Sequence, residues 1–316
     1  MYPFTPSEVK QIKEAAPGAA VEIEIAGARE EFRAHLGGAD VIYGMPNGED
    51  LSHAPNLKWI QWGAAGIDSM DPAVKASPIP VTNMARVFAP GISETAMGLL
   101  LSLTRGIVKY YTPQFARREM KAVGTMKSDH YTEISGRTMG IVGLGGIGCS
   151  VARRAHFGFD MRIVAIDTRP VPKPDFVAEL RDPTCLMDMV PAVDVLVAAA
   201  PLTPQTTRMF NESVFRSMKK TAYFLALSRG ELMDDMALVK ALNEGWIAGA
   251  GLDVFPQEPP PQDHPIFDCP NVVMSAHTSG WGPERQERLI AFFAENVRRY
   301  AIGQPLRNVV DKQAGY

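Results

Sequence analysis

The sequence predicts an α/β protein with two doubly wound parallel-sheet domains, the second inserted into a discontinuous first. Three observations carry this. Short apolar runs alternate with helical stretches along most of the chain. Beyond Thr138 the runs are almost continuously apolar, as parallel strands covered on both faces require. The length, 316 residues, suits two domains of ordinary size.

In the first hundred residues, segments 21–25, 41–43, 57–62 and 79–83 read as strands bounded by Gly, Pro or Asp. Residues 93–105 form one apolar helix without a polar stripe, the pattern of a helix buried between domains. Segment 107–131 has no sheet of its own and reads as a helix and an arm in need of an external surface. The second set of strands is 139–142, 162–166, 195–199, 222–227, 248–252 and 272–275, flanked by helical stretches such as 151–157 and 236–243. Residues 284–300 read as an amphipathic helix, and 305–310 are placed to return to the first domain. The resulting division is 1–102 with 281–316 for the first domain and 103–280 for the second.

Composition narrows the function. Apolar residues make up 46% and charged residues 21%, which excludes disorder. Thirty-two Lys and Arg against thirty-five Asp and Glu give a net charge of −3, so a nucleic-acid partner is not expected. No apolar run reaches the ~18 residues of a membrane span. The chain opens Met-Tyr-Pro-Phe-Thr-Pro, without a basic-then-apolar leader. Cys149, Cys185 and Cys269 are odd in number and widely spaced, which fits reduced thiols in the cytoplasm. No His/Cys group has zinc-ligand spacing, so no metal is expected.

The chemistry begins at Gly143-Leu144-Gly145-Gly146-Ile147-Gly148, which fits G-x-G-x-x-G between a strand and a helix. Glycines there permit a tight turn and close approach of a pyrophosphate, whose charge sits at the helix N-terminus. Asp167 follows 24 residues after Gly143, at the end of the next strand, where a carboxylate accepts hydrogen bonds from the adenosine ribose. This is the Rossmann arrangement. The Asp167 carboxylate repels a 2′-phosphate, which favours NAD. Arg169, two residues on, keeps NADP open.

Further on, Arg229 follows one strand, Glu258 the next, and His277 the third. In an open α/β sheet, ligands bind beyond the carboxyl ends of the strands, so these three side chains can converge. Arg holds a carboxylate through two parallel hydrogen bonds. His exchanges a proton near neutral pH, and a neighbouring carboxylate favours its charged form.

On these residues, with Ser135-Gly136-Arg137-Thr138, Pro201-Leu202-Thr203, Thr206, Asp234 and the 253–259 block, the chain resembles the D-isomer-specific 2-hydroxyacid dehydrogenase family along nearly its whole length. The resemblance points to the glyoxylate/hydroxypyruvate reductase-like branch. It implies a Rossmann cofactor domain inserted into a flavodoxin-like substrate domain, and a homodimer joined through the cofactor domain. It places the catalytic trio on Arg229, Glu258 and His277. Cofactor contacts fall on Gly143, Gly145, Gly146, Ile147, Gly148, Asp167, Arg169, Pro201, Thr206, Leu227, Asp253, His277 and Gly280. Substrate contacts fall on Ala64, Ala65, Gly66, Arg229, His277 and Trp281, with Asn83 and the helix glutamate Glu94 as further family positions. The chain departs from many relatives at Ala226 (Asn in many), at Thr95 (His in many) and in 120–125, where many carry Trp.

The expected activity is hydride transfer from NAD(P)H to a small 2-keto acid, giving the D-2-hydroxy acid. The alternatives are a dinucleotide-sensing corepressor or scaffold, and a formate- or phosphite-type dehydrogenase. His264 reads as a structural loop residue and His156 as packed or surface-exposed. Trp59 and Trp62 could shape a substrate pocket but read more simply as core or rim, and His35, His53 and His130 have no partner visible in sequence.

Overall fold

The computed structural model describes residues 3–125, 131–168, 172–269 and 271–316. The chain divides into two units, Met1–Phe88 with Trp281–Tyr316, and Ala89–Gly280. The helix Ala89–Thr104 falls in the second, so the division lies after Phe88 and not after residue 102. The reason is packing. Its Ser93 hydroxyl lies 3.0 Å from that of Ser150 on the helix Gly146–Phe159, and Arg154 on that helix donates to Glu94 at 3.1 Å.

In the first unit β1 (Val41–Gly44), β2 (Trp59–Trp62) and β3 (Val81–Thr82) form a parallel sheet in that order. Strand β2 is buried throughout, and its side chains alternate between two cores. Ile60 and Trp62 join Ile42, Leu57, Val74 and Val310. Trp59 joins Ile12, Met84 and the helix Pro283–Ala301, which presents Leu289, Ile290, Phe293, Ala294 and Val297 at helical spacing. The end of the chain returns to this sheet: Asn83 N–H donates to Asn308 O at 3.0 Å and Val310 N–H to Val81 O at 2.8 Å.

Residues 21–25 do not pair with the sheet. Val21 and Ile23 pack half-buried against the Phe293 cluster while Glu22 and Glu24 face solvent. The alternation read as a strand therefore reports packing on a core without a hydrogen-bonded ladder. With that segment unpaired, β1, β2 and β3 run in sequence order. The order reversal of a flavodoxin-like sheet is absent among the described residues.

The second unit has a seven-stranded parallel sheet of β4 (Thr138–Val142), β5 (Arg162–Ile166), β6 (Val177–Arg181), β7 (Val195–Ala198), β8 (Tyr223–Ala226), β9 (Gly249–Leu252) and β10 (Val272–Met274). The order β10-β9-β8-β7-β4-β5-β6 starts at the centre, runs to one edge, then crosses back to fill the other. The reversal falls between β4 and β7, which sets a ligand crevice at their carboxyl ends. Strand β6 goes beyond the six strands expected. Its Val-Ala-Glu-Leu-Arg sequence is too polar to read as buried, and it forms the sheet edge.

Candidate active site

The glycine turn joins β4 to the helix Gly146–Phe159. Gly143 has φ +94°, and a Cβ there would lie 2.6 Å from the Ala200 backbone. A Cβ on Gly148 would lie 1.9 Å from Gly143 O. Any side chain at either place would push the turn off the sheet. Gly145 differs: a Cβ on it would meet nothing within 4 Å, so open space lies over this residue. Gly145 caps the helix without a side-chain hydrogen bond, and the first-turn N–H groups, with Gly146 and Ile147 leading, are available to an anion. A tight cradle below and open space above fit a pyrophosphate.

Asp167 Oδ2 accepts from Leu144 N–H at 2.7 Å, so the carboxylate is fixed beside the turn. Arg169 lies outside the described residues, as does His130. Thr206 is buried; its hydroxyl donates to Pro201 O at 2.7 Å and accepts from Thr203 N–H at 2.8 Å. Its side chain closes the loop after β7 and does not face outward.

At the end of β8, Leu227 is buried, and Arg229 Nη1 donates to Ser228 O at 2.7 Å. A Cβ on Gly230 would lie 1.9 Å from the carbonyl carbon of Phe255, so only glycine lets the Arg229 turn rest on the segment after β9. Phe255 N–H donates to Glu258 Oε1 at 2.8 Å, and Glu258 Oε2 lies 2.7 Å from His277 Nδ1. The contact with Glu258 uses Nδ1, which leaves Nε2 as the nitrogen that can exchange a proton with a ligand. The His277 side chain is 45% exposed.

His277 has φ +52°, a left-handed conformation that costs a residue with a Cβ about 1–3 kcal/mol. Asp253 holds it there. The Asp253 carbonyl accepts from His277 N–H at 2.8 Å. Its carboxylate, 2% exposed, accepts from Ser275 Oγ at 2.8 Å, from the N–H groups of Thr278 and Ser279 at 3.2 Å, and from Ser279 Oγ. The side chain of Asp253 thus faces inward and shapes the histidine loop, where a direct cofactor contact was expected. Sequence reasoning missed this role. The available signal was an acidic residue placed directly after a buried strand, where only local donors can satisfy it.

Among the other expected positions, Glu94 pairs with Arg154. Gly280 ends the second unit. Trp281 opens the returning part of the first unit and is 70% exposed. In the first unit, the carbonyls of Ala64, Ala65 and Gly66 accept from Met84 N–H, the Asn83 amide and the Trp62 indole at 3.0, 2.8 and 3.1 Å. The peptide planes that follow are thereby fixed, and they carry the N–H groups of Ala65, Gly66 and Ile67. Trp59 and Trp62 are core. His156 lies 3.0 Å from Met161 O and against Phe157 and Phe176. Among the described residues no group of three His, Cys, Asp or Glu could hold a metal.

Residues 97–279 match the family model described as D-isomer specific 2-hydroxyacid dehydrogenase, NAD binding domain. The chain is 37% identical over 270 residues to a glyoxylate reductase of Korarchaeum cryptofilum, covering 84% of this chain and 79% of that protein. It is 32% identical over 297 residues to a glycerate dehydrogenase of Methylorubrum extorquens, covering 92% and 91%. Among solved structures, the NADPH-dependent glyoxylate/hydroxypyruvate reductase of Sinorhizobium meliloti, in complex with NADP and sulfate, superposes with a TM-score of 0.80. That structure is 26% identical and matches over 99% of this chain and 97% of its own. The doubly wound sheet, the glycine turn and these likenesses agree: the chain belongs to the D-isomer specific 2-hydroxyacid dehydrogenases.

Proposed function

We propose that this chain reduces a small 2-keto acid of the glyoxylate or hydroxypyruvate class to the D-2-hydroxy acid, with NADH preferred over NADPH. The observation that carries the reading is the 2.7 Å contact between Glu258 and His277 Nδ1 at the carboxyl edge of the dinucleotide-type sheet. The names of the relatives support the substrate class.

The reduced nicotinamide, when bound, supplies the hydride. His277 donates the proton from Nε2 to the oxygen of the keto group as it gains charge. Glu258, 2.7 Å from Nδ1, fixes the ring orientation. Arg229 binds the substrate carboxylate and stabilises the developing oxyanion. Within the first unit, Ala64, Ala65, Gly66 and Trp281 are proposed as substrate contacts on the family resemblance alone. Asp167 disfavours a 2′-phosphate, which supports the coenzyme preference.

The proposal includes a homodimer without nucleic-acid or membrane partners, acting in the cytoplasm. Phe115 and Met120, 84% and 97% exposed, support a partner surface on the segment before β4. Three unpaired cysteines support a reducing compartment. No described helix is long and apolar enough to cross a membrane.

The test is a panel of glyoxylate, hydroxypyruvate and phenylpyruvate, each assayed with NADH and NADPH. Turnover of a small keto acid with higher kcat/KM for NADH supports the reading. No turnover with any of them contradicts it and favours a sensing or scaffold role.

A further inference from the structure

His264 is a half-buried histidine that the reaction as described does not use. Its Nδ1 accepts from Ile266 N–H at 3.1 Å, so a neutral ring carries its proton on Nε2. Nε2 lies 3.1 Å from Asp235 Oδ2, at the first residue of the helix Asp235–Asn243. Asp235 is the charged group placed on this ring; Asp234, its neighbour, is turned to cap the helix, accepting from Ala237 N–H at 3.0 Å. The ring also meets Phe255 edge to face, with centroids 4.9 Å apart.

That ring contact closes a loop. Phe255 and His264 stand at its two ends, and residues 256–263 between them include Glu258 and four prolines, Pro256, Pro259, Pro260 and Pro261. Prolines have fixed φ, so such a loop transmits a displacement of its base and absorbs little of it. Phe255 is also the residue whose N–H holds Glu258 Oε1 and on whose backbone Gly230 rests. The path from the helix Asp235–Asn243 to the imidazole of His277 is therefore continuous: Asp235, His264, Phe255, Glu258, His277.

We infer that His264 is a positioning residue: anchored to Asp235, it braces the proline-rich loop so that Glu258 stays on Nδ1 of His277. It touches no reacting atom. The inference rests on the reading of His277 as the proton donor, and Glu258→Gln is the control for that reading.

The experiment compares wild type, Glu258→Gln, His264→Ala, His264→Gln and Asp235→Ala. For each, the pH–rate profile of glyoxylate reduction and the NADH dissociation constant are measured. Glu258→Gln keeps the size of the side chain and an oxygen that can reach Nδ1 but removes the charge 2.7 Å from the ring, and should move the alkaline limb of the profile to lower pH. His264→Ala should move that limb the same way and lower kcat by about tenfold, as loss of an orienting partner does, with NADH affinity unchanged. His264→Gln, whose amide can still donate to Asp235, should recover part of both. Asp235→Ala should resemble His264→Ala in weaker form. It keeps the ring packed and the Asp234 cap in place, so it decides the matter if His264→Ala does not fold. Wild-type limbs in His264→Ala and Asp235→Ala beside a shifted limb in Glu258→Gln would overturn the positioning role alone. An unshifted limb in Glu258→Gln would overturn the proton-donor reading, and the positioning role with it.

Discussion

The two halves of the seven-stranded sheet place different kinds of chemistry at the same carboxyl edge. On the β4–β5 side the site is made of backbone: a glycine turn that excludes Cβ atoms at Gly143 and Gly148, an open helix N-terminus, and a carboxylate latched to the turn. On the β8–β10 side it is made of side chains: Arg229, Glu258 and His277, held by Gly230, Phe255 and Asp253. The first side is sensitive to volume, because a backbone ligand site depends on how close the chain can come. The second is sensitive to charge and orientation, because proton transfer depends on which nitrogen carries the proton and where it points. The two sides should therefore fail separately.

On the backbone side, the largest effect is expected at Gly148. An alanine there forces the Gly143 carbonyl from its place, and a shift on that scale costs about 100-fold in a positioned interaction. Gly148→Ala should raise the NADH dissociation constant by about this factor while the pH–rate profile at saturating NADH keeps its wild-type limbs. Equal NADH affinity in the variant would show that the turn does not set coenzyme binding.

A smaller effect is expected at Asp167. Serine at this position removes the charge proposed to repel a 2′-phosphate and keeps a side-chain oxygen near Leu144 N–H. The NADH-to-NADPH ratio of kcat/KM should fall about tenfold, or ~1.4 kcal/mol. An unchanged ratio would place coenzyme choice elsewhere.

The smallest effect lies outside the sheet and checks that the fold itself is indifferent to this chemistry. On the helix Pro283–Ala301, Arg298 donates to Glu295 at 2.9 and 3.0 Å and Arg299 at 2.7 Å. These bonds hold the Glu295 carboxyl at about 2, against an ordinary value of 4.5. A depressed carboxylate stabilises the fold fully above its ordinary value, and that stability is lost as pH falls through about 2. Glu295→Gln should lower Tm by a few degrees or less at pH 7, and the difference from wild type should close between pH 4.5 and 2. A Tm difference independent of pH would contradict the assignment. Coenzyme selectivity should not change.

The same division explains what was legible in the sequence. Buried parallel strands are apolar on both faces, so six of the seven in this sheet stand out, while β6, carrying Glu179 and Arg181 at the edge, does not. The glycine turn and the Glu258–His277 pair are also legible, because each depends on residue type at a fixed place after a strand. What could not be read depends on contacts between segments distant in sequence. Nothing local places Val21 and Ile23 on the Phe293 cluster without a pairing strand. Nothing local turns the carboxylate of Asp253 toward Ser275 and Ser279, or the Thr206 hydroxyl toward Pro201, because inward and outward orientations satisfy the same pattern. The junction after Phe88 escapes a local reading for a related reason: the apolar helix that follows it is fixed by Ser150 and Arg154, some sixty positions downstream.

The proposed division of labour is one imidazole, oriented by Glu258, that delivers the proton, and a backbone-built site that holds the coenzyme. It is tested most directly in His277→Ala, by measuring kcat for glyoxylate reduction and NADH affinity on the same preparation. The expected result is a kcat lower by roughly 10²–10⁴ with NADH affinity near wild type. A near-normal kcat would contradict it.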